Sequence, residues 1–310
     1  MIEVPTVKLN NGIVIPSIGI GPGGIGHVNK PVLLSPNSSL FVKMKRRIEQ
    51  KLHYIVARRK FVDSMTYALK IGYRLIDWSF AYGSGVEIME AIRRAGLQRE
   101  DVFITSRVSN KQQFEGTVRE GFFEGLQKMG LEYVDLYMFH WPVTDIFVDT
   151  YKEMEKLYNE GYVRALGVAN CHQHHLQVIL DNCEIVPAVD QFEIHPLFTQ
   201  KPLIAFCRSH DIQVQAYTPL ARNDDRLTKN LILRGLAEKY GKTIQQIILR
   251  WHVQLNQIPI PRSLNHVRQL QNISIFDFSL TEEEIQAIDS ININSRLRFD
   301  PDNLDFHSVG

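Results

Sequence analysis

The sequence predicts an α/β fold of the (β/α)8 barrel type, and three observations carry that expectation. From residue 61 onward, helix-period and strand-period segments alternate to about residue 260. The strands are short, apolar and rich in β-branched residues, as strands covered by helices on both faces must be. Side chains with chemistry stand at the C-terminal ends of different strands: Asp77 closes Arg74-Leu75-Ile76, Arg107 follows Val102–Ser106, and His140 follows Val134–Phe139. A parallel barrel assembles its site from those ends.

Each element follows in order. Val7–Leu9 and Ile13–Ile15 flank Asn10-Asn11-Gly12, a tight hairpin signal, expected to plug one end of the barrel. Ser17–Gly21 is the first barrel strand and runs into the glycine-rich Gly21–Gly26. Those glycines make no dinucleotide fingerprint, because no helix opens there and no acid follows at the needed distance. Over residues 27–60 the rhythm breaks. Leu40, Phe41, Met44, Ile48, Leu52, Ile55 and Val56 fall at helical spacing, and eight cations between 43 and 60 face one acid, Glu49. This inserted basic helix has two readings, a solvated surface helix or a lid that also binds anions. A strand-to-helix loop at this place opens on the C-terminal face of a barrel. The loop after the histidine strand is short, Val143 to Asp149, so the site needs cover from elsewhere. The helix over 40–59 is therefore expected beside the cleft with its apolar stripe inward.

Further helices are expected at Phe61–Ile71, Glu87–Ala95, Phe114–Met129, Thr150–Asn159, His172–Leu180 and Leu203–Ser209, and at about 228–240 and 243–254. The remaining strands are Arg164–Val168, Ala188–Phe192, Ile212–Tyr217 and Ile258–Ile260, which completes eight. No linker or low-complexity run divides the chain, so residues 1–310 read as one barrel domain.

Composition excludes several function classes. A formal net charge of +1 gives no global attraction to nucleic acid or anionic membranes. No apolar run approaches the roughly 20 residues of a membrane span. Cys171, Cys183 and Cys207 have no metal-type spacing, and the start of the chain lacks a signal-peptide layout. A cytoplasmic location and a monomer or weak oligomer are expected. His172, His174 and His175 cluster at a helix start with no acid partner in reach, which favours a solvated helix face over a metal site. Cys171 reads as a small core thiol.

Several motifs in order resemble the aldo-keto reductases: Gly72–Asp77 with Tyr82, His140-Trp141-Pro142, Gly161–Asn170, Gln191–Pro196, Ala216–Leu220, and Ile260–Ser263 with Arg268 and Asn272. The likeness spans nearly the whole chain apart from about residues 25–60, and the ending Arg298–Phe306 is similar to the short tail of bacterial members. The resemblance implies a catalytic set of Asp77, Tyr82, Arg107 and His140, with Arg107 standing where the family has a lysine. It implies that Asn170, Gln191 and Tyr217 hold a nicotinamide. Leu220 and Pro261 lie in the same cofactor-contacting segments. Arg262, Ser263, Arg268, Gln271 and Asn272 match the segment that grips adenine and its 2′-phosphate. Two guanidiniums and a hydroxyl suit a phosphate, which favours NADP(H) over NAD(H). Other departures are Ala169 for a serine, Pro22 for a threonine, Gln271 for a glutamate, and Gly83-Ser84-Gly85 between Tyr82 and the next helix.

The implied activity is reduction of an aldehyde, ketone or sugar-like carbonyl by hydride transfer, with Tyr82 giving the proton. A free phenol, with a pKa of about 10, is a reluctant acid that a neighbouring cation makes more willing. Arginine keeps that charge but is larger, planar and unable to lose its proton. The alternative is an NADPH-binding barrel with impaired turnover that serves as a sensor or regulatory partner.

Overall fold

The computed structural model describes residues 1–22 and 40–308. A hairpin of β1 (Thr6–Lys8) and β2 (Val14–Pro16) precedes eight parallel strands: β3 (Gly19–Ile20), β4 (Leu75–Asp77), β5 (Phe103–Val108), β6 (Val134–Phe139), β7 (Val163–Ala169), β8 (Val189–Glu193), β9 (Gln213–Tyr217) and β10 (Gln257–Ile260). Each strand pairs with the next in sequence. The ends of the sheet meet where the Gly21 N–H donates to the Pro261 carbonyl at 3.1 Å. Gly19 permits this approach, since a Cβ there would stand 2.6 Å from Ile260 Cδ1 and 2.8 Å from Leu75 Cγ.

Helices pack outside: α1 (Leu40–Ile71), α2 (Gly85–Arg94), α3 (Asn110–Glu115), α4 (Val118–Met129), α5 (Phe147–Asn159) and α6 (Gln173–Asn182). They continue with α7 (Lys201–Ser209), α8 (Asp225–Thr228), α9 (Leu231–Tyr240), α10 (Ile244–Gln254), α11 (His266–Ile273) and α12 (Glu282–Asp289). The helix expected over Phe114–Met129 is two, because Gly116 takes a left-handed φ of 63° and ends α3 after a capping box from Ser109.

Strand alternation separates two cores. Leu75, Phe103, Leu136, Met138, Val189 and Ile258 point into the barrel, and Ile15 and Leu9 of the hairpin close over them. Full burial of Ile15 contributes about 1.5–3 kcal/mol. Ile76, Ile104, Tyr137, Phe139 and Phe192 point outward against the helices. The hairpin lies at the end opposite the site: Asn10 Nδ2 donates to the Pro187 carbonyl and Asn11 Nδ2 to that of Arg164, just before β8 and within β7.

The inserted helix departs from expectation. Residues 27–39 and the glycines from Gly23 lie outside the described residues. From Leu40 the helix continues unbroken through Ile71, and Met44, Ile48, Leu52, Ile55 and Val56 are exposed. The reason is phase. Phe61, Met65, Ala68 and Leu69 face the barrel, and the same face carries up through Ala57 and Tyr54. The 44–48–52–55 stripe is rotated from that face by roughly a third of a turn. No described residue from 42 to 59 lines the main cavity.

Before Phe61, polar contacts add to the packing of Tyr54 and Ala57 in holding α1. Tyr54 Oη and Arg58 Nε each donate to buried Glu87 Oε1 at 3.1 Å, and Arg58 also pairs with Glu90. Glu87→Ala removes the acceptor of Tyr54 Oη and leaves Arg58 with Glu90 alone. It is expected to lower stability by about 1–3 kcal/mol. Hydrogen exchange should speed up over residues 54–60 while the apolar turns 61–71 keep their protection. Unchanged exchange at 54–60 would show that Glu87 does not anchor the helix.

Candidate active site

Inward phase places Asp77 above Leu75 and Arg107 above Phe103 and Thr105, so both side chains enter the top of the barrel. Arg107 Nη2 donates to Asp77 Oδ1 at 2.6 Å and to Gln191 Oε1 at 2.7 Å, and Nη1 donates to the Trp78 carbonyl at 3.0 Å. Gln191 Nε2 donates to Asp77 Oδ1 at 3.1 Å and to Gln215 Oε1 at 2.9 Å. Arg107 is 3% exposed. Burial works against its charge, but Asp77, and Tyr82 after it, hold the guanidinium pKa above its ordinary value.

Tyr82 ends a short 3-10 turn, Phe80–Tyr82, that Ser79 caps by accepting the Ala81 N–H at 3.3 Å. The Phe80 N–H donates to Ser106 Oγ at 3.2 Å, tying the turn to β5. His140, one residue past β6, donates its backbone N–H to the Val108 carbonyl at 3.0 Å. Its pKa is pushed down to about 3 by burial, then by Arg107 and Arg298, so the imidazole is neutral. Asn170 takes a left-handed φ of 60°. Its Nδ2 donates to the His140 carbonyl at 2.9 Å, and its Oδ1 accepts Tyr217 Oη at 2.6 Å. Burial pushes the Tyr217 phenol well up, which keeps it a donor.

These side chains face one cavity of about 1030 Å³. Asp77, Tyr82, Arg107, His140, Asn170, Gln191, Tyr217, Leu220, Pro261 and Arg262 all line it. Arg262 also lines an adjoining cleft of about 380 Å³ with Ser263, Arg268, Leu264, Asn265 and Lys60. Three cations, a hydroxyl and no acid among the described lining residues make a donor set that fits a phosphate. The nicotinamide and phosphate ends of NADP(H) therefore both find suitable chemistry. Gln271 and Asn272, expected at the adenine end, line neither space.

Sequence reasoning missed Lys60, Ser109, Arg222 and Arg298 as lining residues. Arg298 comes from the C-terminal tail. Buried Glu193, on β8, accepts the N–H groups of Leu297 at 2.7 Å and Arg298 at 2.8 Å. Burial alone would raise the Glu193 pKa, but His195 at 2.8 Å and the two tail amides hold it below the ordinary value. The signal for this anchor was the acid two residues beyond Gln191. The expectation that the histidines at the start of α6 have no acid in reach is overturned: Asp302 lies 2.8 Å from His172 Nδ1 and 3.1 Å from His174 Nε2. The two partners are 130 residues apart in sequence.

A parallel barrel with this polar layer, and a cation-lined cleft beside it, defines a nucleotide-dependent oxidoreductase. The model of the aldo/keto reductase family matches residues 53–293, and the chain belongs to that family, whose members are NADP(H)-dependent oxidoreductases. It is 36% identical over 301 residues to a glyoxal reductase of Bacillus subtilis, covering 97% of this chain and 98% of that one. It is 39% identical over 248 residues to a methylglyoxal reductase of Salmonella typhimurium, covering 79% and 90%. Among solved structures, an aldo-keto reductase from a Medee basin deep-sea metagenome library superposes with a TM-score of 0.83 at 32% identity, covering 97% of this chain and 100% of that one. A Bombyx mori aldo-keto reductase in complex with NADP gives 0.81 at 29%, covering 97% of each. Among the described residues, no helix is long and apolar enough to cross a membrane.

His140 and the fully buried His252, whose pKa burial lowers to about 4, set an acid limit on stability. Both values lie below the ordinary 6.5, so as pH falls through about 6.5 the unfolded chain takes up protons that the folded chain refuses. The contribution of these two histidines is therefore lost from about pH 6.5 downward. His252→Gln should make the fall of melting temperature between pH 6.5 and 4.5 shallower, by on the order of 2 kcal/mol at the acid end. An unchanged slope would mean that His252 is protonated in the fold.

Proposed function

We propose that this chain reduces small aldehydes and α-ketoaldehydes to alcohols with NADPH, Tyr82 being the proton donor. The observation that carries the reading is the convergence of Tyr82, neutral His140 and the Arg107–Asp77 pair on one cavity that continues into a cation-lined cleft. The relatives named for glyoxal and methylglyoxal support the substrate class.

Arg262, Ser263, Arg268 and Lys60 would hold the 2′-phosphate, and Tyr217, Asn170 and Gln191 the nicotinamide. Bound NADPH supplies the hydride. Neutral His140 has one ring N–H with which to orient and polarise the substrate carbonyl oxygen. Tyr82 passes its hydroxyl proton to that oxygen as negative charge develops there. Arg107 keeps its own proton and stabilises the phenolate left behind. Asp77 holds Arg107 in place and compensates its buried charge.

One observation favours the reading of impaired turnover: Arg107 occupies Gln191 Oε1, and both Gln191 amide hydrogens go to Asp77 and Gln215. Two variants decide, assayed by NADPH consumption with methylglyoxal and simple aldehydes. Tyr82→Phe should cut kcat by roughly 10²–10⁴-fold and leave NADPH affinity nearly unchanged. Arg107→Lys should keep or raise kcat. A Tyr82→Phe enzyme with full activity removes the assigned donor. If the wild type binds NADPH but turns over no carbonyl in the panel, the sensor reading stands.

Arg298 refines the substrate class. Its guanidinium lines the cavity and depresses the His140 pKa, and among the described residues it forms no salt bridge. A carbonyl compound bearing a carboxylate would complete that cation. Arg298→Gln should lower kcat/KM for glyoxylate by roughly 10-fold and leave methylglyoxal nearly unchanged, one charge-assisted hydrogen bond being worth about 1.5–3 kcal/mol. Equal losses on both substrates would show a packing role only.

A further inference from the structure

Away from the cavity, three imidazoles and a carboxylate converge where the C-terminal tail crosses the start of α6. His172 Nδ1 stands 2.8 Å from Asp302 Oδ2, and His174 Nε2 and His175 Nε2 stand 3.1 and 3.6 Å from Asp302 Oδ1. One ligand atom from each of the four lies within 4.8 Å of every other. A tetrahedral dication with bonds of about 2.0–2.1 Å places neighbouring donor atoms roughly 3.3–3.5 Å apart, which the histidine–carboxylate separations bracket, and the ligand atoms, all within 4.8 Å of one another, need only a small adjustment to meet it. We propose that His172, His174 and Asp302, completed by His175 or water, form a site for a zinc-type divalent transition metal that fastens the tail beside the substrate cavity.

The donor chemistry selects the ion. Imidazole nitrogens with one carboxylate suit Zn²⁺, Ni²⁺ or Cu²⁺, while oxygen-seeking Ca²⁺ and Mg²⁺ would find a single carboxylate here. Two features support the site beyond the convergence. Asp300 Oδ1 lies 3.9 Å from His172 Nε2, so a second carboxylate can take the N–H of His172 when Nδ1 turns to the metal. The side chains of His174 and Asp302 are 61% and 41% exposed, which leaves an entry path.

Two contacts oppose it and shape it. Arg296 Nη2 lies 3.1 Å from His172 Nε2 and must withdraw to let that nitrogen carry a proton. It has other partners, the Phe198 ring at 4.7 Å and the Phe299 carbonyl at 3.5 Å. His175 Nδ1 accepts the His172 backbone N–H at 3.1 Å, which keeps the proton on His175 Nε2. His175 therefore joins only if that cap opens, and a three-ligand set with an exchangeable position is the ground arrangement. The linkage matters because of what it joins. His172 is two residues from Asn170, and Asp302 lies between Arg298, at the cavity, and Phe306, which packs on Trp141.

The test uses tag-free, chelator-stripped, full-length protein. Calorimetry with Zn²⁺ should show one equivalent bound with a dissociation constant of roughly 10 μM or below, and Co²⁺ should develop the visible d–d absorption of a tetrahedral site. His174→Ala and Asp302→Asn should each weaken binding by at least ~10-fold, a ligand being worth no less than an outer-shell partner. Metal should slow hydrogen exchange over residues 296–307 in the wild type and leave it unchanged in Asp302→Asn. His175→Ala separates the two ligand sets: a small loss leaves the three-ligand site, a large one adds the fourth ligand. The proposal is overturned if no stoichiometric Zn²⁺ binding appears at ~100 μM, or if both variants bind as the wild type does. Either outcome would reduce the cluster to imidazoles hydrogen-bonded to Asp302.

Discussion

The buried ion pair of Arg107 and Asp77 is the constraint around which the top of the barrel is arranged. A guanidinium inside a barrel is tolerated only if its charge and its donors are met, and removal of one partner of such a pair costs about 3–5 kcal/mol. Asp77 meets the charge, the Trp78 carbonyl takes one donor, and Gln191 takes another. Gln191 then needs acceptors for its amide and finds Asp77 and Gln215. Four strands are thereby committed to one polar layer above the apolar filling of the barrel. Arg107 meets the Trp78 carbonyl through Nη1 and Gln191 through Nη2, two separate nitrogens where an ammonium has one, so arginine changes the neighbourhood as well as the cation.

That layer also divides the cavity electrostatically. Arg107 is compensated where it sits, so its field on the cavity is local and falls on Tyr82 and His140. Among the cations lining the cavity, Arg107 is thus paired with Asp77, whereas Arg298 on the tail has no salt-bridge partner among the described residues. A neutral imidazole is what the His140 position requires. Flanked by two guanidiniums, a charged one would repel both.

Most of the fold was legible because its signals are local. Short apolar, β-branched-rich runs alternating with helix-period segments mark the barrel strands, and the Asn10-Asn11-Gly12 turn announces the plug. That Asp77, Tyr82, Arg107 and His140 would share one cavity was legible from their places at or beyond strand ends, while Asn170, Gln191 and Tyr217, which line it too, were pointed to by the family motifs. What was not legible depended on orientation or on distant segments. The apolar stripe of residues 44–55 has a correct helical period, but period says nothing of which way the stripe turns when the helix runs on into Phe61. The partner of His172 lies far along the chain, in a tail whose path is fixed by Glu193, and no local pattern joins them. Gln271 and Asn272 stand apart. Asn272 is buried within α11, and neither residue lines the cavity or the cleft.

The loop after β6 is short, and among the described residues the tail contributes Arg298 to the cavity lining. The anchoring of the tail explains why a segment with so little regular structure can serve there. Glu193 is on β8, two residues from Gln191, in the same inward phase. The strand that supports the polar layer therefore also fixes the backbone at Leu297 and Arg298 through a buried carboxylate. Farther on, Asn110 Nδ2 donates to the Phe306 carbonyl at 3.1 Å, and Phe306 closes over Trp141 next to His140. Two fixed points about eight residues apart leave the chain between them little freedom, since short closed loops have few conformations to exchange. Arg298 is thus positioned from the C-terminal end of β8 rather than from its own loop, so its place in the cavity follows from the strand register that places Gln191.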